Sequence, residues 1–287
     1  MNIDVRGIQI RNDGWRVFVA AANPVTQDST FVYCFQFGQS IPVWVKSFAG
    51  NYTALVLSKS GNRLLLGEYG GGNNKLFVLN PATGAVIFQT AFADQYPPAI
   101  SDDGNYIVSG DFSGHVFLLE YNESAATYTE KWNYTVNGAN SWVAGMGISG
   151  DGTTIAIGTL MFPATGGNDG ELYVFNNYSP VPLWIYPSMG DMVQCVDLSS
   201  DGSIIAAAGW GPLNNSTPDI LLFRKQSNVP YLTVNSPGSN FCLDLSADGK
   251  MCVAGGKAIH ARAFGNGGKL FNINSDPGGG TLKGLTE

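Results

Sequence analysis

The chain has 287 residues, of which 44% are hydrophobic and 13% are charged, and its formal net charge is −7. This composition is enough for a packed core and excludes a disordered chain. The shortage of Lys and Arg argues against a nucleic-acid partner and against binding to an anionic membrane surface. No apolar run is long enough to insert into a membrane, and the chain as given shows no signal peptide.

One short phrase occurs six times along the chain, each time around a glycine: RNDGWRVFVA, SKSGNRLLLG, SDDGNYIVSG, SGDGTTIAIG, SSDGSIIAAAG and SADGKMCVAGG. The intervals between successive glycines are 47, 43, 48, 50 and 47 residues. A period in the forties with strand-like content is typical of β-propeller blades. The glycines are Gly14, Gly61, Gly104, Gly152, Gly202 and Gly249.

Each position of the phrase predicts a structural role. The residue three before the glycine is Ser in five repeats and Arg11 in the first. Ser and Asp can bond the local backbone and Gly takes a positive φ, so the phrase predicts a hairpin turn. The residue six after the glycine is always Ala or Gly. This small residue predicts a close approach by the neighbouring blade.

Two more strand-like runs follow each hairpin, so each repeat predicts a four-stranded antiparallel meander. The only candidate for the last strand of the sixth repeat is GTLKGLTE. One such sheet leaves both faces open, so six must pack face to face around an axis. We therefore predict an all-β fold, a six-bladed β-propeller, since seven blades would need about 45 more residues. The predicted single domain spans 1–287, with blades at 4–50, 51–93, 94–138, 139–188, 189–236 and 237–287.

The fourth strands carry Trp44, Trp132 and Trp184, and Phe88 takes the matching place in LNPATGAVIFQ. This pattern resembles the pyrroloquinoline-quinone-like repeat of propellers, and the S-x-DG hairpin is similar to WD40-like and YVTN-type blades. The resemblance covers nearly the whole chain and implies an architecture, which by itself does not choose a function. Quinoprotein dehydrogenases of this kind have eight blades and a vicinal cysteine pair. This chain has no adjacent cysteines, so we expect no quinone cofactor.

In a propeller, the loops between blades and between second and third strands share one face. Those loops vary most in this chain, as in LMFPATGGNDG, WGPLNNSTPD and KAIHARAFGNGG, and variable loops on a rigid scaffold often carry function. Their aromatic and amide groups suit a sugar or a peptide, but they could also only cap loops and cover the rim of the channel. The predicted ligand-binding residues at the channel mouth are Asn51, Tyr52, Asp94, Tyr96, Trp142, Asp191, Asn240 and Phe241.

Two pairs of carboxylates stand in matching columns of the repeat. Glu68 and Asp111 follow the small residue and are weak candidates for calcium, but the other repeats have no carboxylate there. We therefore expect no metal and no cofactor. Asp197 and Asp244 lie on the first strands of adjacent blades. They could bond turn backbone, or share a raised pKa and take part in acid–base chemistry.

The histidines and cysteines do not form a recognisable reactive cluster. His115 and His260 are the only histidines, which excludes a histidine cluster for zinc, and we predict that His260 is a surface loop residue. None of the four cysteines belongs to a C-x-x-C pair. Because all four lie in apolar strand-like runs, we predict buried free thiols.

These observations favour a non-catalytic propeller that presents its loop face to a protein, a glycan or a small ligand. One alternative is an enzyme that works in the axial channel, either a lactonase-like, metal-assisted hydrolase or a lyase. Another is a structural module of a larger surface protein. Few lysines and six N-x-[ST] sequons indicate an extracellular, cell-surface or periplasmic location. The sequons begin at Asn51, Asn122, Asn133, Asn177, Asn214 and Asn215.

Overall fold

In the computed structural model, the described residues are 4–23, 25–26, 28–67, 75–90, 97–136, 140–278 and 281–286. For 281–286 the description covers the backbone alone. The regular elements of this part of the chain are 24 β-strands, which form six four-stranded sheets. Within the described ranges, none of the elements is a helix long and apolar enough to cross a membrane.

The first three sheets each follow the order of the chain. Sheet 1 contains β1 (Asp4–Ile10), β2 (Arg16–Ala22), β3 (Ser29–Gln36) and β4 (Trp44–Ala49). Sheet 2 contains β5 (Ala54–Leu57), β6 (Leu64–Gly67), β7 (Phe77–Leu79) and β8 (Val86–Gln89). Sheet 3 contains β9 (Ala99–Ile100), β10 (Tyr106–Gly110), β11 (His115–Asn122) and β12 (Thr127–Thr135).

The last three sheets have the same order. Sheet 4 contains β13 (Ser141–Ile148), β14 (Thr154–Met161), β15 (Leu172–Asn176) and β16 (Trp184–Tyr186). Sheet 5 contains β17 (Cys195–Leu198), β18 (Ile204–Ala208), β19 (Ile220–Arg224) and β20 (Leu232–Val234). Sheet 6 contains β21 (Asn240–Leu245), β22 (Met251–Lys257), β23 (Gly268–Asn274) and β24 (Thr281–Thr286).

Six successive four-stranded antiparallel meanders make this fold a six-bladed β-propeller, as predicted. The candidate last strand of the sixth repeat, within GTLKGLTE, pairs with β23. The chain divides into two compact units, one of residues 1–111 and 117–131, the other of residues 112–116 and 132–287. The prediction of a single domain stays a prediction.

The middle strands of sheets 2, 4 and 5 are apolar on both faces. All five residues of β15 and of β18 are buried, and so are seven of the eight residues of β14. In the first unit, Phe18 and Val32 of sheet 1 pack in one cluster with Leu64 and Leu66 of sheet 2. Because both faces of a middle strand are covered, its sequence is a continuous apolar run without alternation.

The Ser-x-Asp-Gly phrases form hairpin turns, as predicted. In sheet 5, Ser199 Oγ donates to Asp201 Oδ1 at 2.7 Å and accepts the amide of Ile204 at 3.0 Å. Gly202 completes the turn with a φ of +65°. The amide of Ser203 and the Ser199 hydroxyl donate to Asp201 and lower the pKa of its carboxyl. The same serine contacts recur in the turns that begin at Ser101, Ser149 and Ser246.

Neighbouring turns are also bonded to each other through their backbones. In the second unit, the amide of Asp151 donates to Ser200 O at 2.9 Å, and the amide of Ser200 donates to Ala247 O at 2.8 Å. In the first unit, the amide of Ser60 donates to Asp102 O at 2.8 Å. Each of these turns therefore closes its own hairpin and also fixes the position of the next sheet.

Ring donors on the fourth strands form a second set of contacts between sheets. Each bonds a backbone carbonyl of the following sheet, at 2.7 to 3.0 Å. Phe88 has no donor and packs against the ring of Tyr128, with 5.7 Å between ring centroids. The bonded pairs are Trp44 with Pro81, Trp132 with Asn177, Trp184 with Lys225 and Tyr231 with Ser275.

Two local interpretations need correction. The predicted close approach of a neighbouring blade is present at Gly158, where an added Cβ would lie 2.3 Å from the carbonyl oxygen of Val193. It is absent at Gly255, where an added Cβ would lie nearest to Cys242 of the same sheet. All four cysteines are free thiols, but Cys242 is exposed rather than buried. The reason is that β21 is half-buried or exposed over most of its length.

We predict that Ser199→Ala lowers the free energy of unfolding by about 1 to 3 kcal/mol, because it leaves the buried amide of Ile204 without its acceptor. Chemical denaturation of the two proteins measures the difference. Ser216→Ala is the matched control, since Ser216 lies exposed in a loop of the same unit. Equal stability of the S199A chain and the wild type would show that the serine does not support the turn.

Candidate functional site

A groove of about 260 Å³ opens between the loops of sheets 5 and 6, in the second unit. Three segments line it: the loop from β18 to β19, the connection from β20 to β21, and the loop from β22 to β23. These segments lie at the ends of the strands opposite to the Ser-x-Asp-Gly turns. We call this site the loop groove, and its main lining residues are Trp210, Pro212, Leu213, Pro237, Ile259 and His260.

The lining of the loop groove is mixed, and somewhat more apolar than polar. The Trp210 ring stands edge-on to Phe241, at 6.0 Å between centroids, and its Nε1 donates to Gln194 Oε1 at 2.8 Å. The guanidinium of Arg262 lies 5.1 Å from the centre of the same ring. Leu213 is 70% exposed at the edge of the groove. The groove therefore offers a fixed indole and an exposed aliphatic side chain to a ligand.

His260 is part of the wall and is buried, which corrects its prediction as a surface loop residue. Its side chain is 7% exposed, and its Nε2 lies 3.0 Å from Gly211 O. The Nδ1 atom accepts the amide of Arg262 at 3.2 Å. Because Nδ1 is an acceptor, the neutral imidazole places its proton on Nε2, directed at the carbonyl of Gly211. The loop around His260 folds back on the β18–β19 loop, a contact that the sequence does not reveal.

A two-pronged salt bridge supports the same loop. Arg262 Nε donates to Asp191 Oδ2 at 2.8 Å, and Arg262 Nη2 donates to Asp191 Oδ1 at 2.9 Å. Asp191 is only 3% exposed and also accepts the amide of Met192. The pairing with Asp191 raises the pKa of the Arg262 guanidinium. Such a fork-to-carboxylate contact fixes geometry, so it holds the β22–β23 loop against the segment that enters sheet 5.

A third polar contact fixes the connection between sheets 5 and 6. Asp219 accepts the amide and the hydroxyl of Ser236 at 2.8 and 2.6 Å. The hydroxyl of Ser236 also lies 2.6 Å from Gly238 O and 3.2 Å from Asn240 Nδ2. Asp219 is 1% exposed, and burial raises the pKa of its carboxyl to about 6. The wall formed by Pro237 and Gly238 is therefore tied to the interior of sheet 5.

Four of the predicted mouth residues lie in the second unit, three of them at the loop groove. Asp191 and Asn240 are buried supports, and Phe241 packs against Trp210 with 42% of its side chain exposed. Trp142 lies elsewhere in the unit. It stacks on Phe112 at 4.5 Å and meets Phe162 edge-on at 5.1 Å.

The other four predicted mouth residues are in the first unit. Tyr52 is 2% exposed and packs edge-on against Phe48 and Phe77, so it belongs to the core and not to an open surface. Asn51 beside it is half-buried. Asp94 and Tyr96 lie outside the described residues.

The predicted carboxylate sites differ in outcome. Among the described residues, no three His, Cys, Asp or Glu side chains group as metal ligands. Asp111 is half-buried, and Glu68 lies outside the described residues. Asp197 accepts the amides of Leu245 and Leu198 at 2.7 and 2.8 Å, so it ties sheet 5 to sheet 6. Burial raises the pKa of Asp197 to about 6, and the neighbouring charge of Asp244 adds to this shift.

The sequence indicates the loops that carry the groove, but not the residues that shape it. WGPLNNSTPD and KAIHARAFGNGG are long and rich in Pro, Gly and Asn, and this marks them as irregular loops. Within the first of these loops, Trp210 and Leu213 are large apolar residues at positions where a short connection would need none. That excess of apolar side chains is the feature of the sequence that indicates the groove. The partners of Arg262 and Asp219 lie 71 and 17 residues away along the chain, so the sequence does not indicate these two pairings.

Comparisons with known proteins support the fold. No family model and no curated protein sequence matches the chain. A structure of a mitotic checkpoint complex includes a similar chain, with a TM-score of 0.68 and 15% identity over 99% of this chain and 80% of that one. The β-propeller domain of Cps50 (Swd1) from Myceliophteria thermophila is also similar, with a TM-score of 0.65 and 13% identity over 100% of this chain and 88% of that one. At such identities the likeness shows the fold alone, a β-propeller.

We predict that Asp219→Asn makes the chain more stable at pH 8, by up to about 3 kcal/mol, and that this gain disappears near pH 4. The carboxyl has a pKa of about 6 when folded, against the ordinary value of 3.8 for an aspartate carboxyl. Between these values the folded chain keeps a proton that the unfolded chain has released, so wild-type stability falls as the pH rises. Asn keeps the acceptor for the Ser236 amide and carries no charge.

Denaturation of both proteins between pH 4 and 8 measures this effect. Asp248→Asn is the control with the opposite sign, because the Ser246 hydroxyl lowers the pKa of Asp248 and its charge therefore stabilises the fold at neutral pH. A D219N chain that is less stable than the wild type at pH 8 would show that the buried negative charge is needed.

Proposed function

We propose that this protein is a non-catalytic, protein-binding module that holds an extended segment of a partner protein in the loop groove. The observation that carries the proposal is the groove itself, a cleft of about 260 Å³ with a mixed apolar and polar lining, whose walls are fixed by buried polar contacts. A rigid cleft loses little conformational freedom when a ligand binds, so its apolar contacts contribute more fully to affinity.

The chemistry of the groove favours a segment that contains proline or aliphatic residues. Trp210 offers a flat ring, and Pro212 and Pro237 add rigid apolar surface beside it. Grooves lined by aromatic residues take extended or polyproline II segments, because such segments need little ordering on binding. The two charged groups nearest the ring, Arg262 and Asp191, neutralise each other, so the groove does not select for a charged ligand.

The comparison structures support a protein partner. One of the similar propellers was solved as part of a mitotic checkpoint complex, which is an assembly of proteins. Propellers present a rigid face with variable loops, and binding residues concentrate on loops held by such a scaffold. The loop groove is formed by the two long loops of sheets 5 and 6, which fits this pattern.

We predict that Leu213→Ser weakens peptide binding about tenfold or more, because a leucine that becomes buried contributes roughly 1.5 to 3 kcal/mol. The probe is a library of random displayed peptides, selected on the wild-type protein. The affinities of the enriched peptides are then measured by fluorescence polarisation. Val229→Ser is the matched control, since Val229 is 69% exposed in a β-hairpin turn of the same unit and lies outside the groove.

Leu213 is exposed, so the Ser variant is expected to fold as the wild type does, and circular dichroism checks this. Enriched peptides that bind L213S and V229S as tightly as the wild type would refute the loop groove as their site. A library that yields no enriched peptide, together with a strong signal on a glycan array, would replace the protein partner with a glycan.

The type of repeat and the location of the protein are further parts of this proposal. Indole donors on the fourth strands, at Trp44, Trp132 and Trp184, support a pyrroloquinoline-quinone-like repeat. An extracellular or cell-surface location is supported by the sequons, of which those at Asn122, Asn133, Asn214 and Asn215 have exposed asparagines. Mass spectrometry of the protein from its natural source tests the location through attached glycans.

A further inference from the structure

We propose that the first unit contains a second binding site, formed by Arg11, Arg16 and Arg63, and that this site binds a phosphate group. A cavity of about 270 Å³ opens there between the turns of sheets 1 and 2. All three guanidinium side chains line it. The chain has only six arginines and a net charge of −7, so half of its arginines meet at one cavity of an acidic protein.

The six repeats provide an internal reference for what the fold needs at these positions. Arg11 stands where the other five turns have Ser, and its side chain crosses Gly61 of the next turn, so that an added Cβ at Gly61 would lie 2.8 Å from it. Arg16 and Arg63 stand two residues after the turn glycine. The other four repeats have Tyr106, Thr154, Ile204 and Met251 at this place. The fold therefore does not require arginine at any of the three positions.

The contacts of the arginines leave positive charge in the cavity. Arg11 is paired with Asp13 through a two-pronged contact. Arg16 donates to the thiol of Cys34 at 3.9 Å, and Arg63 donates to Asn62 O and to the hydroxyl of Tyr128. Among the described residues, no carboxylate forms an ion pair with Arg16 or Arg63. Two guanidinium charges are thus uncompensated within the cavity.

Rigid supports hold these groups in place. The Arg63 guanidinium lies 4.3 Å from the centre of the Tyr121 ring. The turn that carries Pro81, on the far wall, is fixed by the indole of Trp44 at 3.0 Å. A site that is already ordered binds an ion without first ordering long side chains. Arg11 and Arg63 are therefore held in place before a ligand binds, and Arg16 lines the same cavity.

The charge and geometry select the ligand class. A phosphate monoester carries a charge near −2 at neutral pH and several acceptor oxygens, and the guanidinium fork matches this arrangement. The uncompensated charge of Arg16 and Arg63 is +2, which equals that of the proposed ligand in magnitude. A single carboxylate would satisfy only one of the two forks. The ligand is either a free phosphate compound or a phosphorylated side chain, since both present the same group.

The experiment uses the whole chain with nitrogen-15-labelled arginine and inorganic phosphate as the probe. We expect the side-chain Nε–H signals of Arg16 and Arg63 to shift until saturation, while the Arg224 signal stays in place. Chloride at equal ionic strength is expected to leave all of these signals unchanged. Arg224 is the matched reference, because its guanidinium also lies over a tyrosine ring, that of Tyr231, at 5.4 Å.

Variants test the same assignment independently. Arg16→Gln is expected to weaken phosphate binding about tenfold, whereas Arg224→Gln leaves it unchanged. The proposal would be overturned if every arginine signal shifts by the same small amount with phosphate and with chloride. It would also be overturned if R16Q and the wild type bind phosphate with the same affinity. If R16Q does not fold, the titration of the labelled wild-type chain with phosphate and chloride tests the proposal by itself.

A short peptide that contains phosphoserine and its unphosphorylated form distinguish the two sources of phosphate. Tighter binding of the phosphopeptide than of inorganic phosphate would support a phosphorylated protein as the ligand. Equal binding would support a free phosphate compound. Absence of saturable shifts with both probes would overturn the site.

Discussion

The structure depends on one constraint: the middle strands of sheets 2, 4 and 5 are apolar on both faces. A strand such as IIAAA of β18 is fully buried, so neither face of its sheet can remain in water. Burial of apolar surface is the main favourable term in folding, and an isolated four-stranded sheet of this kind would leave half of it exposed. Each sheet of this kind must therefore lie between two neighbouring sheets. The contacts that set the spacing, such as the carbonyl of Val193 over Gly158, follow from this requirement.

Polar contacts fix the sheets at positions where apolar packing alone would allow sliding. The turn serines and aspartates close the hairpins, and the turn backbones bond from sheet to sheet. Asp197 does the same through the amide of Leu245. Hydrogen bonds have a direction and a length, whereas apolar contact is not directional. The propeller thus combines a non-specific attraction between sheets with specific points of attachment.

The sequence predicts the fold well because the fold is periodic. The turns at Ser101, Ser149 and Ser199 repeat at similar spacing, and each copy supports the interpretation of the others. The candidate site has no such redundancy. His260 contacts Gly211 and Arg262 contacts Asp191, and these pairs lie in loops that occur once. Tyr52 shows the same limit. An aromatic residue just before a strand can lie at the rim of the channel or in the core, and only its contacts with Phe48 and Phe77 distinguish the two positions.

The fourth-strand tryptophans place a fluorescent group at three separate boundaries between sheets. Trp44, Trp132 and Trp184 each have an indole nitrogen bonded to a carbonyl of the following sheet. If two neighbouring sheets separate, the indole at their boundary exchanges this carbonyl for water, and its emission moves to longer wavelength. The protein therefore contains its own optical probes of partial opening. Chains that keep one of the three indoles, with Trp15, Trp142 and Trp210 also replaced, would report which boundary separates first when the fold is stressed.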